Sequence, residues 1–406
     1  MRPSRRLMSC AIAAFVLPCL AGTPSVGADA PTAESLFDDT VVHELRLDMH
    51  GADWSRLQEH YLENTYYPAD LTWDGYTVRN IGIRSRGSGS RDPRKPGLKL
   101  TFDEYVSDQT MASLKGLVLD NFRQDPGMMK ESLSMALFTR MGLAAPRVTH
   151  ARVYVNGDYL GLYGVIEPID KRFLRRTLGE DGGYLYEFEW AGAYRFEWLG
   201  GDPLRYAEMF ESETREHEPP AQRFSTLVQM ITATTRESTR TWQQTMGRYL
   251  DFDQLFAYLA VESFLADHDG LAGDWGVNNF YLYRFASSDR FQFLPWDKDV
   301  NFRELDRDVF ENLESHHLFS TALQFDGPRD AYLAALRRCA AIAAETDGSG
   351  RGWLEREVAR HAHRIRAAAH ADQRKPFTND RFEQEVAWMT TFARQRSGQV
   401  ERQVGR

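Results

Sequence analysis

The chain has 406 residues, 42% of them hydrophobic, 26% charged and 12% aromatic, with a formal net charge of −9. That composition sustains one large domain or two ordinary ones and excludes a disordered chain. The acidic balance suits a nucleic-acid phosphate backbone poorly, so no nucleic-acid partner is expected.

Residues 1–28 read as a secretory signal peptide. Arg2, Arg5 and Arg6 give a positive start, and LMSCAIAAFVLPCLA is an apolar run too short to span a bilayer. SVGADA offers small residues for cleavage after Ala28, and losing three arginines takes the charge to −12. An uncleaved anchor is the rival reading. No other long apolar run exists, so the mature protein is expected without integral membrane association, in the periplasm, the cell envelope or the exterior. Cys10 and Cys19 leave with the signal, and Cys339, amid YLAALRRCAAIAAE, reads as a buried structural thiol.

In chain order, VVHELRLDM predicts a strand and DWSRLQEH a helix with Asp53 as its N-cap. Residues 69–102 read as strands around a glycine-serine loop. Asp74-Gly75 and Asn156-Gly157 are hairpin turns. Between them MMKESLSMALFTRMG predicts a helix, with Leu133, Leu137 and Met141 on one face and Gly142 as terminator. From about residue 170 the pattern turns helical. DFDQLFAYLAVESFLADHDG is a helix, NNFYLYR and FQFLP pair as a hairpin, and amphipathic helices run from 328 to the end. The expected fold class is α+β in two lobes, a β-rich N-terminal lobe over 36–170 and a mainly helical C-terminal lobe over 171–400.

Three constellations hold chemistry-bearing residues. RSRGSGSRDPRKPGLKL surrounds Gly87, Ser88, Gly89 and Ser90 with Arg84, Arg86, Arg91, Arg94, Lys95 and Lys99. Such a loop can cradle an anion, or serve as a plain surface turn. Glu131 lies early in its helix, complementing the dipole or facing a cation, for which Lys99 is the candidate. Finally Asp267, Asp269, Asp274, Asn278, Asn279, Asp297 and Asp299 fall within 33 residues. Oxygen-rich groups of this kind suit Mg²⁺ or Mn²⁺, although Asp and Asn also favour caps and turns. Asp297 and Asp299 share a face if the strand continues through them. His316, His317, His361 and His363 lack zinc-ligand spacing and read as surface or capping residues. Neither a GxSxG elbow nor a cysteine nucleophile signature is present.

IGIRSRGSGS with LKLTF, RVYVNGDYLGLYGVIEPID and NNFYLYR…FLPWDKDVNF, in that order, resemble the CotH kinase family over residues 36–400. The resemblance implies an atypical protein-kinase-like fold, ATP with Mg²⁺ or Mn²⁺, and phosphorylation of Ser or Thr on exported proteins. It implies that residues 87–90, with Arg84 and Arg86, lie over the phosphates, and that Lys99 contacts phosphate and pairs with Glu131. Glu167 would lie near the lobe connection, at the nucleotide. Asp297 would hold metal with Asn279 helping, Asp299 standing beside them. The catalytic aspartate is Asp269 by the family layout or Asp274 by kinase spacing. A non-catalytic coat, envelope or adhesion protein, and a transferase moving AMP or a glutamyl group, remain the alternatives.

Overall fold

Asp74 and Gly75 take φ of 47° and 78°, and Asn156 and Gly157 take 51° and 87°. Two consecutive left-handed residues make the tight hairpin turn whose twist matches its strands, so both turns form where the sequence puts them. The computed structural model describes residues 31–405. The signal peptide reading, with Cys10 and Cys19, lies outside the described residues.

The elements begin with α1 (Ala33–Leu36), β1 (Val42–Met49), α2 (Gly51–Glu59), β2 (Tyr67–Trp73), β3 (Tyr76–Arg86), β4 (Gly97–Thr101) and β5 (Gly116–Asp120). Next come α3 (Lys130–Arg140), β6 (Val148–Val155), β7 (Asp158–Ile166), α4 (Lys171–Leu178), β8 (Tyr184–Phe188), α5 (Leu204–Ala207) and β9 (Phe210–Ser212). Then follow α6 (Pro220–Arg236), α7 (Trp242–Met246), α8 (Phe252–Leu265), β10 (Phe280–Arg284) and β11 (Phe291–Pro295). The last are α9 (His317–Ala322), α10 (Asp326–Ala344), α11 (Trp353–Ala371) and α12 (Asn379–Val404).

The first seven strands close into a barrel in the order β1-β2-β3-β4-β5-β7-β6. Neighbours are antiparallel except at the closing seam, where β1 runs parallel to β6 with Leu45 opposite Val153. β1 shows why the barrel fills: it buries His43, Leu45 and Leu47 and turns Glu44, Arg46 and Asp48 outward. With Leu71, Ile83, Leu100 and Leu119 these leucines form a core inside the barrel.

The second half is mainly helical, and the fold class is α+β as the sequence predicts. α8 buries ten of its 14 residues, as expected of a helix apolar nearly all round that lies in the larger core. The expected hairpin β10–β11 is there, but β8 and β9 extend it into a four-stranded sheet, β11-β10-β8-β9. Those two strands are short and loop-flanked, which hid them. Val118 and Ile166 from the barrel meet Leu185, Tyr281, Leu294 and Trp296 from this sheet in a small separate core.

Buried ion pairs fasten the early segments to the C-terminal helices. Lys95 reaches Asp372 at 2.7 Å and Lys130 reaches Glu385 at 2.9 Å. Lys95 therefore does not surround the glycine loop, as its sequence position implies. α2 is capped by His50, whose side chain accepts from Ala52 N, while Asp53 sits inside the first turn. His316 and His361 are buried rather than superficial, at 0% and 1% exposure. Cys339 is buried and free. Among the described residues no helix is long and apolar enough to cross a membrane.

Candidate active site

β5 delivers Asp120 from a buried apolar strand, GLVLD, and β11 delivers Trp296 and Asp297 from another, FQFLP. The two exits approach each other. Asp297 is the leading charge that, after burial, raises the Asp120 carboxyl, to about 6. Arg86, at the end of β3, opposes that rise and stacks its guanidinium on the Trp296 ring at 5.6 Å. Burial and then the same Asp297 push Glu131 and Asp299 well above the usual carboxylate range. Asp297 thus makes three neighbouring acids, Asp120, Glu131 and Asp299, harder to ionise.

β11 ends at Pro295, so Asp297 and Asp299 lie beyond the strand and not on it. Asp297 takes φ 53°, and Lys298 between the two acids is turned into the core. There Nζ meets Glu262 Oε1 at 2.6 Å and Asp267 Oδ2 at 3.3 Å. The Lys298 amide donates to Glu131 Oε2, and Ser134 Oγ donates to the Lys298 carbonyl at 3.3 Å. α3 is itself seated by Asp125, whose Oδ2 accepts from the Met129 and Lys130 amides at 2.7 and 2.8 Å. A carboxylate bonded to these buried helix-start amides satisfies donors that have no partner within the helix. Left-handed, non-glycine backbone recurs around the cluster, at Phe122, Met128, Asn279, Asp297 and Phe302. Strain of that kind persists only where surrounding packing holds it.

Asp269 follows the left-handed end of α8 and is clasped by two carboxamides. Asn278 Nδ2 donates to its Oδ1 at 3.0 Å, and Asn279 Nδ2 donates to its Oδ2 at 3.0 Å and its carbonyl at 2.9 Å. Burial raises its carboxyl in spite of the Asn278 bond, and the charges of Asp267 and Asp297 add to the rise. Asp274 is in a different state. Against the burial that would raise it, bonds from Arg307, His268 and Asn312 hold it down at about 2. Arg307 Nη2 lies 2.6 Å and His268 Nδ1 2.8 Å from its oxygens. Of the two aspartates left open by the sequence, only Asp269 stands among the acids of the cluster.

The basic residues separate. Gly87 takes φ 105°, and a Cβ there would come within 2.5 Å of Ser90 Oγ, so the turn requires glycine. Ser88 and Gly89 are exposed, while Asn121 Nδ2 holds the Ser90 carbonyl at 2.9 Å, anchoring the loop one residue past Asp120. Arg91 stitches this loop from within, its Nε donating to the Gly87 carbonyl at 2.6 Å. Arg84 donates to Asn64 Oδ1 at 2.9 Å and stacks over Tyr66. Lys99 and Glu131 form no ion pair; the acid that feels the Lys99 charge is Glu213, directly after β9. Glu167 has both oxygens committed, Oε1 to Arg147 at 2.8 Å and Oε2 to Arg176. The nucleotide contact expected of it has no free acceptor.

Asp120, Glu262 and Lys298 are the residues that sequence reasoning passed over. Asp120 shows the same signal as Asp297, an acid placed directly after a buried strand. Among the described residues no three His, Cys, Asp or Glu groups converge as metal ligands. The donor chemistry nonetheless fits a hard cation. Glu131 Oε1 is buried without a hydrogen-bond partner, and like-charged carboxylates beside it cannot neutralise it. Mg²⁺ takes few protein oxygens and keeps several waters, so converging ligands are not required of the protein alone.

A family model described as CotH kinase protein matches residues 83–400. Inner spore coat protein H of Bacillus subtilis is 24% identical over 262 residues, covering 63% of this chain and 68% of that protein. Spore coat protein homolog 1 of Rhizopus delemar is 21% identical over 285 residues, covering 67% of this chain. The match takes in 44% of the Rhizopus protein, less than half its length. The crystal structure of a Helicobacter pylori proinflammatory kinase, CtkA, aligns with a TM-score of 0.30 at 10% identity, covering 76% of this chain and 92% of that one. That likeness is too loose to assign a role to any residue.

Proposed function

Because the chain belongs to the CotH kinase family, we propose that it is an exported, metal-dependent protein kinase transferring the γ-phosphate of ATP to Ser or Thr of secreted or envelope proteins. The observation that supports this reading is the crowding of Asp120, Asp297, Asp299 and Glu131 beside the clasped Asp269. Buried acids whose pKa a neighbouring carboxylate raises are costly to a folded protein unless a cation or a reaction uses them. The names of the two spore coat relatives agree with a place outside the cytoplasm.

In this reading Asp297 and Asp120 hold the divalent ion, with Asn279 Oδ1 and Asp299 close by. When bound, the ion neutralises charge on the β- and γ-phosphates. The exposed 87–90 loop covers the phosphates, and Arg86 and Lys99 supply positive charge on the barrel side. Asp269 accepts the proton of the acceptor hydroxyl as its oxygen bonds to the γ-phosphorus, and the bond to the β-phosphate oxygen breaks to release ADP. Asn278 and Asn279 fix the rotamer of Asp269 for that transfer, and its raised carboxyl pKa favours taking the proton. Glu131 holds Lys298, and through it the Asp297 segment, instead of pairing with Lys99.

Incubating the purified protein with γ-labelled or α-labelled ATP, with Mn²⁺, Mg²⁺ or chelator, tests the reading. Metal-dependent γ-label on protein, lost in Asp297→Ala, is the expected result. Label from the α-position would replace it with AMP transfer. Absence of label together with absence of any ATP-induced rise in melting temperature would leave a structural coat-type protein.

A further inference from the structure

α3 has a second working face. Glu131 and Ser134 point to the Lys298 segment, whereas Ser132, Met135, Ala136, Thr139 and Arg140 line a cleft of about 580 Å³. At about 100° of rotation per residue, that stripe lies roughly a quarter-turn around the helix from Glu131. The cleft is closed by the segment after α3, by the end of α4 and by the start of α11. Its volume falls in the range of small-molecule sites, about 300–1,000 Å³.

Three features say what it would take. The floor is apolar, with Met135, Leu143 and Val148, and Trp353 stands at one side under the Arg140 guanidinium, 4.8 Å from its ring centre. Ser132 lines the cleft, is only 6% exposed, and its Oγ has no hydrogen-bond partner. A buried hydroxyl without a partner is costly in a finished fold, and a ligand oxygen would satisfy it. The charges, finally, are unevenly distributed. Arg360 has Asp39 and Glu357, and Arg140 has Glu345. Arg147 and Arg176 share the one buried carboxylate of Glu167. The other acid near Arg147 is Glu34, at 3.6 Å and 82% exposed, a surface contact of little worth. The excess is local, two guanidiniums on one buried carboxylate at Arg147 and Arg176, while Arg360 holds two acids.

We infer that this cleft is a regulatory site for an organic monoanion with a flat apolar body, its charge on Arg147 and Arg176 and its body against Met135 and Trp353. Occupancy fixes α3 from the side and thereby the Glu131–Lys298 contact beneath Asp297. The regulatory half rests on the kinase reading above; binding does not.

Calorimetric titration with 1-naphthoate, and with neutral 1-naphthalenemethanol of the same body, tests the site. The anion should bind saturably at one per chain, at least about tenfold more tightly than the alcohol. Ala136→Trp, which fills the cleft, should abolish binding, and Arg176→Gln should weaken it by about fivefold or more while sparing the fold. Should Ala136→Trp fail to fold, Arg176→Gln and the alcohol decide. Equal binding of alcohol and acid, undiminished binding in either folded variant, or no saturable binding would overturn the site. Saturating naphthoate should also change γ-label transfer by about twofold or more, and an unchanged rate would remove the regulatory half. If no label is ever transferred, the kinase reading has failed, and the calorimetry still judges the site.

Discussion

Lys298 Nζ stands 2.6 Å from Glu262 Oε1 in a place where the lysine is 1% and the glutamate 4% exposed. The same ammonium serves Asp267, so one charge holds two buried carboxylates. Lys298→Met would leave both without a counter-charge, and a broken buried pair costs about 3–5 kcal/mol. Denaturant unfolding should show that loss, with partial recovery in Lys298→Met/Glu262→Gln. A loss under about 1 kcal/mol would mean that the pair contributes little.

Asp269 and Asp274 should separate cleanly on substitution. Asp269→Asn keeps the shape but sets one amide NH₂ against a carboxamide Nδ2 that now bonds a carboxylate oxygen, so the fold should persist with a loss of about 1–2 kcal/mol while γ-label transfer falls by at least about 10²-fold. Asp274→Asn should cost stability alone, about 1–2 kcal/mol after allowing for its partial exposure, because Arg307 loses its partner. Transfer intact in a folded Asp269→Asn protein would return the catalytic role to Asp274.

If the proposed cation binds at the crowded acids, they should set the pH dependence of its binding. The Asp120 pKa is raised to about 6 in the folded protein. A raised carboxyl contributes stability below its unfolded value and loses it as pH climbs through the folded one. The penalty is therefore present above about pH 6, and a cation relieves it there. Mn²⁺ should raise the melting temperature more at pH 7.5 than at pH 5. Asp120→Asn should raise it without metal and shrink the metal effect. A metal shift independent of pH would argue against these carboxylates as the site.

His316 is held near 3 by burial first and by Arg195 next, and it packs against Phe196 and Phe319 with ring centres at 5.4 and 4.4 Å. Neither ring nitrogen has a hydrogen-bond partner. Its lowered pKa makes stability complete above the unfolded value near 6.5 and drains it as pH falls toward the folded value. By pH 5 that is about 2 kcal/mol. His316→Phe should retain the fold at pH 7 and melt higher than wild type at pH 5. An identical acid profile in the two proteins would show that this histidine is not a source of acid lability.

Much of this was legible in the chain. Turns announced themselves where two residues must take positive φ, at Asp74-Gly75 and Asn156-Gly157. Asp269 and Asp297 could be chosen because an acid soon after a buried helix or strand has few structural reasons to be there, and Asn279 because it stands directly before one. Asp120 obeys the same rule and was missed only because a single acid did not stand out. Which lysine pairs with which acid was not legible. Lys95, Lys130 and Lys298 each find partners at least 31 residues away in sequence, by way of packing no local pattern encodes. Glu167 misled for the opposite reason: its neighbours in space, Arg147 and Arg176, use up both its oxygens.

The parallel seam between β1 and β6 has a practical consequence. The stretch recognised by family likeness begins at residue 83, after β1, β2 and most of β3. A fragment cut there would lack two whole staves, and the β6 side facing β1 would be left with unpaired amides and carbonyls. Open strand edges of that kind recruit other chains. Expression trimmed to the recognisable region should give insoluble material, whereas a start upstream of Val42 keeps the ring intact.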